Sequence, residues 1–473
     1  MRLKEKRMNN EFEISALWDL NDHIQKTFGI LTFRQDRVVL ELPNVNMDIE
    51  EKVEIAFGIT QRKTISLFNL QVIGSYDDNL RYTKLIAEYM VIDSKPIKKL
   101  EEFKLKSVTL SFDYLPLLFN KSYWENNSEN DSIIKNTIQS KDYEIDSVNA
   151  KLIEQYRWQK QSKITSEEGL VTTLKTHANL EIKYSEKTSI LKIQKDIMKL
   201  RNLFTLLCGE ALTISYISFK SKTVDLRGKA MPYEGRFYFP QIIVEREMNQ
   251  ITSSYRFNDL REDFDTVLSN YFEFYKKLQP VVQNLYINLA LKSLVEVQFH
   301  DAITSLEVYH REFYSEDKNI SATMQKTINQ FIEIVHLNHK NQNEIKELKR
   351  MINEVGKTTL KKRVKRLIID LPTELKEKIV FHNLDFTSNS RIDDFAYKCA
   401  NTRNHHAHGS TDSNSNIFES NDLIAVTKIL NLVSEYYLMK KIGLEERAII
   451  EGIQNTKNYQ YVLKNQYSFE QPM

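Results

Sequence analysis

Arg403, Asn404, His405, His406 and His408 crowd into one short stretch, and three of the chain's ten histidines fall within four positions there. A guanidinium is planar, permanently charged and able to grip an anion through two hydrogen bonds. An imidazole titrates near neutral pH and can move a proton in water. Together these residue types suit proton transfer beside a bound anion. The same histidines could instead ligate a metal. No cysteine or carboxylate cluster is close in sequence, so His310 or His382 would have to complete a zinc or iron site. A plain polar helix end is the third reading.

The elements on either side must position this stretch. Ile392, Phe395, Ala396 and Cys399 recur at helical spacing, which predicts a helix over 390–402. Ser390 is its expected cap, with Asp393 adding negative charge near the N-terminus. Arg403 falls on the same stripe, and a guanidinium on an apolar face is costly unless it is paired or aimed at an anion. On a continuous helix, at about 100° per residue, His408 lies about 140° from Arg403, whereas His406 and Ala407 share the arginine's face and Asn404 shares that of His408. Arg403 and His408 therefore converge only if the helix ends between them or if two subunits meet. Gly409 and the polar run 410–416 favour an early end.

A second helix is expected over 421–442, with Gly443 as its C-cap. Upstream, apolar stripes run from Leu260 to Leu278, punctuated by Pro280, and over 286–313, 324–337, 345–355 (stopped by Gly356) and 360–368 (halted before Pro372). The pattern is a bundle of about six helices. Within it, Lys361, Lys362, Arg363, Lys365 and Arg366 form a basic run. It reads either as the solvated face of a helix whose core stripe is Leu360, Val364, Leu367 and Ile368, or as a patch that tracks nucleic-acid phosphates. Glu307 and His310, on an earlier helix, are accessory candidates for the same cleft.

The N-terminal half has a different texture. Short runs at 12–18, 29–33, 37–42, 53–57, 64–68, 85–92 and 103–112 are rich in β-branched and aromatic residues and fit a period of two. Gln35 and Asp36 mark a hairpin turn. Evenly spaced strands of this kind predict an antiparallel sandwich or open barrel. A polar stretch over 120–142 reads as a long loop or a subdomain break. Further strands are expected at 170–184, 211–220 and 236–244, with a helix over 190–207 between them. Trp18, Trp124 and Trp158 are expected as packing residues, with a ligand groove as the other option. The half contains no phosphate loop, dinucleotide fingerprint, zinc spacing or nucleophile elbow.

The fold class that follows is α+β and multidomain. A β-rich region over 1–250 precedes an all-α region over 257–445 and a tail over 446–473. At 473 residues two or three domains are the expectation. Lysine and arginine number 66 against 64 acids, so any nucleic-acid contact must come from a local patch. The start of the sequence has no apolar signal-peptide core, no run is long enough to span a membrane, and Cys208 and Cys399 suit buried thiols in a reducing cytoplasm.

Arg403-Asn404-x-x-x-His408 resembles the Arg-x(4–6)-His motif of HEPN domains, with their frequent polar residue straight after the arginine. The motif sits between two long helices near the end of a helical segment, as in that superfamily. The Ser305–Phe313 wording (SLEVYHREF) looks like an early HEPN helix. A β-rich region ahead of such a domain looks like the ApeA-type HEPN proteins of bacterial anti-phage defence. The resemblance implies a metal-independent endoribonuclease needing no cofactor, acting as a homodimer, with tRNA as the family-level target and a phage-derived trigger sensed by the N-terminal region. In that chemistry the RNA 2′-OH is the nucleophile, and cleavage leaves a 2′,3′-cyclic phosphate and a 5′-OH. His408 would move the proton or orient the 2′-OH, Arg403 would stabilise the phosphate and Asn404 would support them, with His406 and then His405 in reserve. A non-catalytic RNA- or protein-binding HEPN module is the alternative.

Overall fold

The computed structural model describes residues 7–20, 26–49, 51–61, 63–76, 82–119, 122–127, 132–165, 169–224, 230–244, 253–314, 322–338, 346, 358–380, 389–408 and 416–465. It divides into two compact units. One comprises Met1–Tyr275 with Leu289–Leu291 and Ile442–Ala448; the other comprises Lys276–Asn288, Lys292–Lys441 and Ile449–Met473.

In the first unit, strands β1 (Phe12–Asp19), β2 (Thr27–Arg34), β3 (Arg37–Pro43), β4 (Lys52–Ile59), β5 (Thr64–Tyr76) and β6 (Tyr82–Asp93) are all antiparallel. Their order β6-β3-β2-β1-β4-β5 closes through a β5–β6 pairing, so the expected β-rich region contains a closed six-stranded barrel. Alternation builds its core: Leu31 and Phe33 on β2 and Val38, Leu40 and Leu42 on β3 are fully buried. Trp18 fills the barrel and donates from Nε1 to the Gly29 carbonyl at 3.2 Å. A β-carbon on Gly58 would lie 2.7 Å from the Trp18 ring, which explains a glycine in mid-strand.

Strand β6 is shared. Its first half pairs with β3, and Met90–Ile92 pair with β14 (Ala230–Tyr238). From there the sheet continues as β14-β13-β7-β12-β11-β10. These strands are β7 (Lys104–Phe112), β10 (Asp142–Ile145), β11 (Ala150–Thr165), β12 (Gly169–Ser189) and β13 (Ile214–Val224). Three details depart from the sequence expectation. The 120–142 stretch holds a hairpin, β8 (Trp124–Asn127) with β9 (Ser132–Lys135). Strand β14 ends before Pro240, where a missing N–H cannot extend the ladder. Strand β11 is added, and its residues from Arg157 to Lys163 are exposed on both faces.

Helix α1 (Leu115–Phe119) follows β7, and α2 (Ile190–Cys208) lies against β7 and β12. Helix α2 is capped by Ser189, whose Oγ accepts from Lys192 N, and stopped by Gly209 at φ +73°. Phe204 meets Phe112, Phe119, Phe257 and Phe264. The last two belong to α3 (Phe257–Leu260) and α4 (Phe264–Ala290), so the helical texture begins inside the first unit. Beneath them Glu154, 1% exposed, is gripped by Arg261 at 2.7 Å and by the Tyr143 and Tyr156 hydroxyls.

The second unit is helical. Helix α4 passes through Pro280 without ending, contrary to expectation, because Leu278, Val281 and Val282 are fully buried around it and tertiary packing outweighs the lost hydrogen bond. It is followed by α5 (Val295–Phe313), α6 (Ala322–Asn338), α7 (Leu360–Ile369), α8 (Asn389–His408) and α9 (Ser420–Ile442). Gly443 follows at φ +98°. The stretch expected as a tail contains α10 (Glu446–Gln454) and α11 (Lys457–Lys464). The expected helix over 345–355, with Gly356, lies outside the described residues apart from residue 346. Among the described residues no helix is long and apolar enough to cross a membrane.

Candidate functional site

Helix α8 carries the motif. Phe395, Ala396 and Cys399 are fully buried on one stripe and pack α8 against α7 and α5. Burial pushes the Cys399 thiol well above its usual range. The helix begins at Asn389, so Ser390 is its second residue rather than its cap, and the Ser390 side chain lies outside the described residues. Asp393 sits past the first turn and binds Lys361 (2.5 Å) and Lys365 (2.9 Å), whose hydrogen bonds hold its carboxyl below the ordinary value.

The helix does not end early. Its backbone is regular through His408, so position 408 lies about 140° round the axis from Arg403 and about 40° from Asn404. The His408 side chain lies outside the described residues. Arg403, half-buried, ends the apolar stripe. Its Nη1 donates to the exposed Asn404 Oδ1 at 3.2 Å, while its Nε–H is buried with no hydrogen-bond partner among the described residues. A buried guanidinium N–H left open costs free energy unless an acceptor arrives. His405, half-buried, and His406, exposed, lie edge to face at 5.5 Å. Thr402, fully buried next to Arg403, accepts from Phe418 N at 2.9 Å through Oγ1, which ties the approach to α9 onto the motif helix.

The accessory candidates are already engaged. Glu307 on α5 accepts from Arg363 Nη1 at 2.7 Å. His310 is 1% exposed and stacks on Tyr314 at 4.8 Å. The basic run is neither a solvated face nor an open patch throughout. Arg363 is buried beside Val364, Lys361 and Lys365 bind Asp393, Arg366 lies over the Tyr314 ring, and Lys362 is exposed. Helix α7 has neighbours on two sides, α5 and α8, so its buried face is wider than one apolar stripe. A cavity of about 400 Å³ is lined by Tyr309, Tyr314, Asp370, Tyr437, Lys440 and Lys441, with no described motif side chain among them. Among the described residues no group of three histidine, cysteine or carboxylate side chains is placed to hold a metal. His382 lies outside them.

Two family models match: ApeA N-terminal domain 1 over residues 13–271 and Apea-like HEPN over residues 301–448. The chain belongs to the ApeA-type HEPN anti-phage family. HEPN domains are generally ribonucleases, commonly dimerise and bind RNA. The second match runs from within α5 through α6, α7, α8 and α9, and so takes in every motif residue. No curated protein and no solved structure matches the chain.

Proposed function

We propose that the chain is a metal-independent endoribonuclease of anti-phage defence, working in the cytoplasm as a homodimer with Arg403, Asn404 and His408 at its site. The observation that carries the reading is Arg403: a guanidinium held at the end of a buried stripe, its Nε–H without a hydrogen-bond partner among the described residues. RNA supplies its own nucleophile in the 2′-OH. His408 moves the proton or orients that hydroxyl, and Arg403 meets the charge that builds on the phosphate in the pentacoordinate state. Asn404 supports the guanidinium, an arrangement for which their hydrogen bond speaks. The unbroken helix separates positions 403 and 408 round its axis, which favours a site completed by a second copy of the chain. His406, followed by His405, is the reserve for proton transfer.

The RNA is a tRNA in this reading, and the N-terminal 1–250 region restrains the nuclease until a phage-derived signal arrives. The basic run contributes through Lys362 and the outer flanks of Lys361 and Lys365. A non-catalytic RNA-binding module is the second reading, favoured by the exposure of Asn404 and His406. Cells carrying the intact chain or His408→Ala, with and without phage, separate the two. Protection and RNA fragmentation only with the intact chain support catalysis; equal protection with whole RNA supports the binding module.

A further inference from the structure

Strands β11 and β12 pair without interruption from Ala150↔Tyr184 to Thr165↔Gly169. Their neighbours stop far short of this. Strand β10 accompanies β11 only as far as Ile153, and β7 accompanies β12 only from Leu180 onward. From Gln155↔Asn179 outward the pair is a two-stranded ribbon. At ~3.3 Å per residue it reaches roughly 30 Å beyond the sheet. A lone two-stranded ribbon in water is marginal and presents two open edges, so its length needs an explanation other than packing.

Its two faces differ. Residues opposite one another share a face, so Arg157 with His177, Gln159 with Lys175, Gln161 with Thr173 and Lys163 with Val171 line one side. Arg157, Lys163 and Lys175 are exposed there. Burial first, and then the charges of Arg7, Lys175 and Arg157, hold the His177 imidazole below its ordinary value. The other face carries Trp158, which meets Trp124 of the β8–β9 hairpin edge to face at 5.8 Å and lies under Lys135 Nζ at 4.1 Å. Tyr123 N also donates to Thr176 Oγ1 on that side. The hairpin thus occupies the aromatic face. Between Gln155 and Thr165 and between Gly169 and Ala178 the sequence has four lysines and arginines and no carboxylate; Glu167 and Glu168, between the two strands in sequence, lie outside the described residues. A chain with a net charge of only +2 has concentrated positive charge on a projecting arm.

We propose that the β11–β12 ribbon is a nucleic-acid arm whose Arg157–Lys175–Lys163 face lies along the phosphate backbone of a duplex. A two-stranded ribbon is narrow enough to follow a duplex groove. The cationic face offers glutamine and threonine donors and, apart from the half-buried His177 imidazole, no aromatic ring, so it suits phosphates rather than unstacked bases, which single-strand binders stack on aromatics. The inference is independent of the nuclease reading: the arm can bind while the motif is inert, and the motif can cut if the arm does not bind.

The test uses the full chain carrying His408→Ala and labelled 30-base-pair duplexes, one of RNA and one of DNA, with binding followed by fluorescence anisotropy across a salt series. The triple variant Arg157→Gln, Lys163→Gln, Lys175→Gln is compared with Lys160→Gln on the opposite face. Affinity for at least one duplex should fall tenfold or more in the triple variant. The slope of log K against log salt should shrink by about 2 to 3, as expected for three lost phosphate contacts. Lys160→Gln should change little, and the better-bound duplex tells RNA from DNA. Unchanged affinity and slope in a triple variant with the parent's circular dichroism would overturn the proposal. So would equal competition by polyglutamate at matched charge, which would assign the face to an acidic protein.

Discussion

Arg403 and Asn404, adjacent on the last turns of α8, hydrogen-bond through their side chains at 3.2 Å, while the arginine's buried Nε–H has no partner among the described residues. Asn404 thus steadies one arm of the guanidinium. Arg403→Ala is expected to lower RNA cleavage by 100-fold or more, as for loss of a group that stabilises developing charge. Arg403→Lys should recover little, because an ammonium lacks the planar fork. Asn404→Ala should cost less than either. Timed RNA fragmentation in phage-challenged cells at matched protein levels ranks the three.

A site shared between two chains has its own signature. Co-expressed Arg403→Ala and His408→Ala chains should restore part of the cleavage that neither supports alone, since a mixed dimer contains one intact arginine and one intact histidine. No recovery, with mixed dimers shown by pull-down of differently tagged copies, would place both residues of a working site on one chain.

Glu154 is buried, and its ion pair with the partly exposed Arg261 is closed by two tyrosine hydroxyls. Removing one partner strands the other's charge. Arg261→Ala is expected to destabilise the first unit by about 3–5 kcal/mol, read as a lower urea midpoint for that transition. An unchanged midpoint would mean water reaches Glu154.

Thr402→Val keeps shape but removes the acceptor for Phe418 N–H. An unsatisfied buried donor costs about 1–3 kcal/mol. Because this bond fixes the chain beside Arg403, the variant should also lose cleavage at a temperature where its fold persists by circular dichroism.

Alkaline pH should unfold the protein cooperatively. Burial raises the phenols of Tyr143, Tyr184, Tyr238, Tyr271, Tyr309 and Tyr437 above their ordinary value near 10. A raised folded-state value means stability is complete below pH ~10 and falls above it, as the unfolded chain releases protons the folded one retains. The share of the absorbance rise at 295 nm that belongs to these six among the chain's 23 tyrosines should appear only in step with loss of circular dichroism. A complete rise before unfolding would contradict this burial.

Much of this was legible in the sequence where the signal is local. The hairpin at Gln35-Asp36, the stripe from Ile392 to Cys399 and the Gly443 stop each rest on neighbouring residues, and each is present. Closure of the barrel was not legible, because the β5–β6 pairing that seals it reflects no residue pattern of its own. Strand β11 escaped notice because its outer half is exposed on both faces and so has no apolar alternation. Pro280 misled because propensity gave way to packing, and Arg363 because its burial depends on a second neighbour that α7 alone does not announce. At the motif, Gly409 suggested an early helix end, yet α8 stays regular through His408.

The most direct measurement maps 5′-OH RNA ends across the transcriptome of phage-challenged cells carrying the intact chain, Arg403→Ala or His408→Ala at equal abundance. The account predicts discrete 5′-OH ends, paired with 2′,3′-cyclic phosphates, in the intact sample alone. The same ends in all three samples, or cleavage leaving 5′-phosphates, would contradict it.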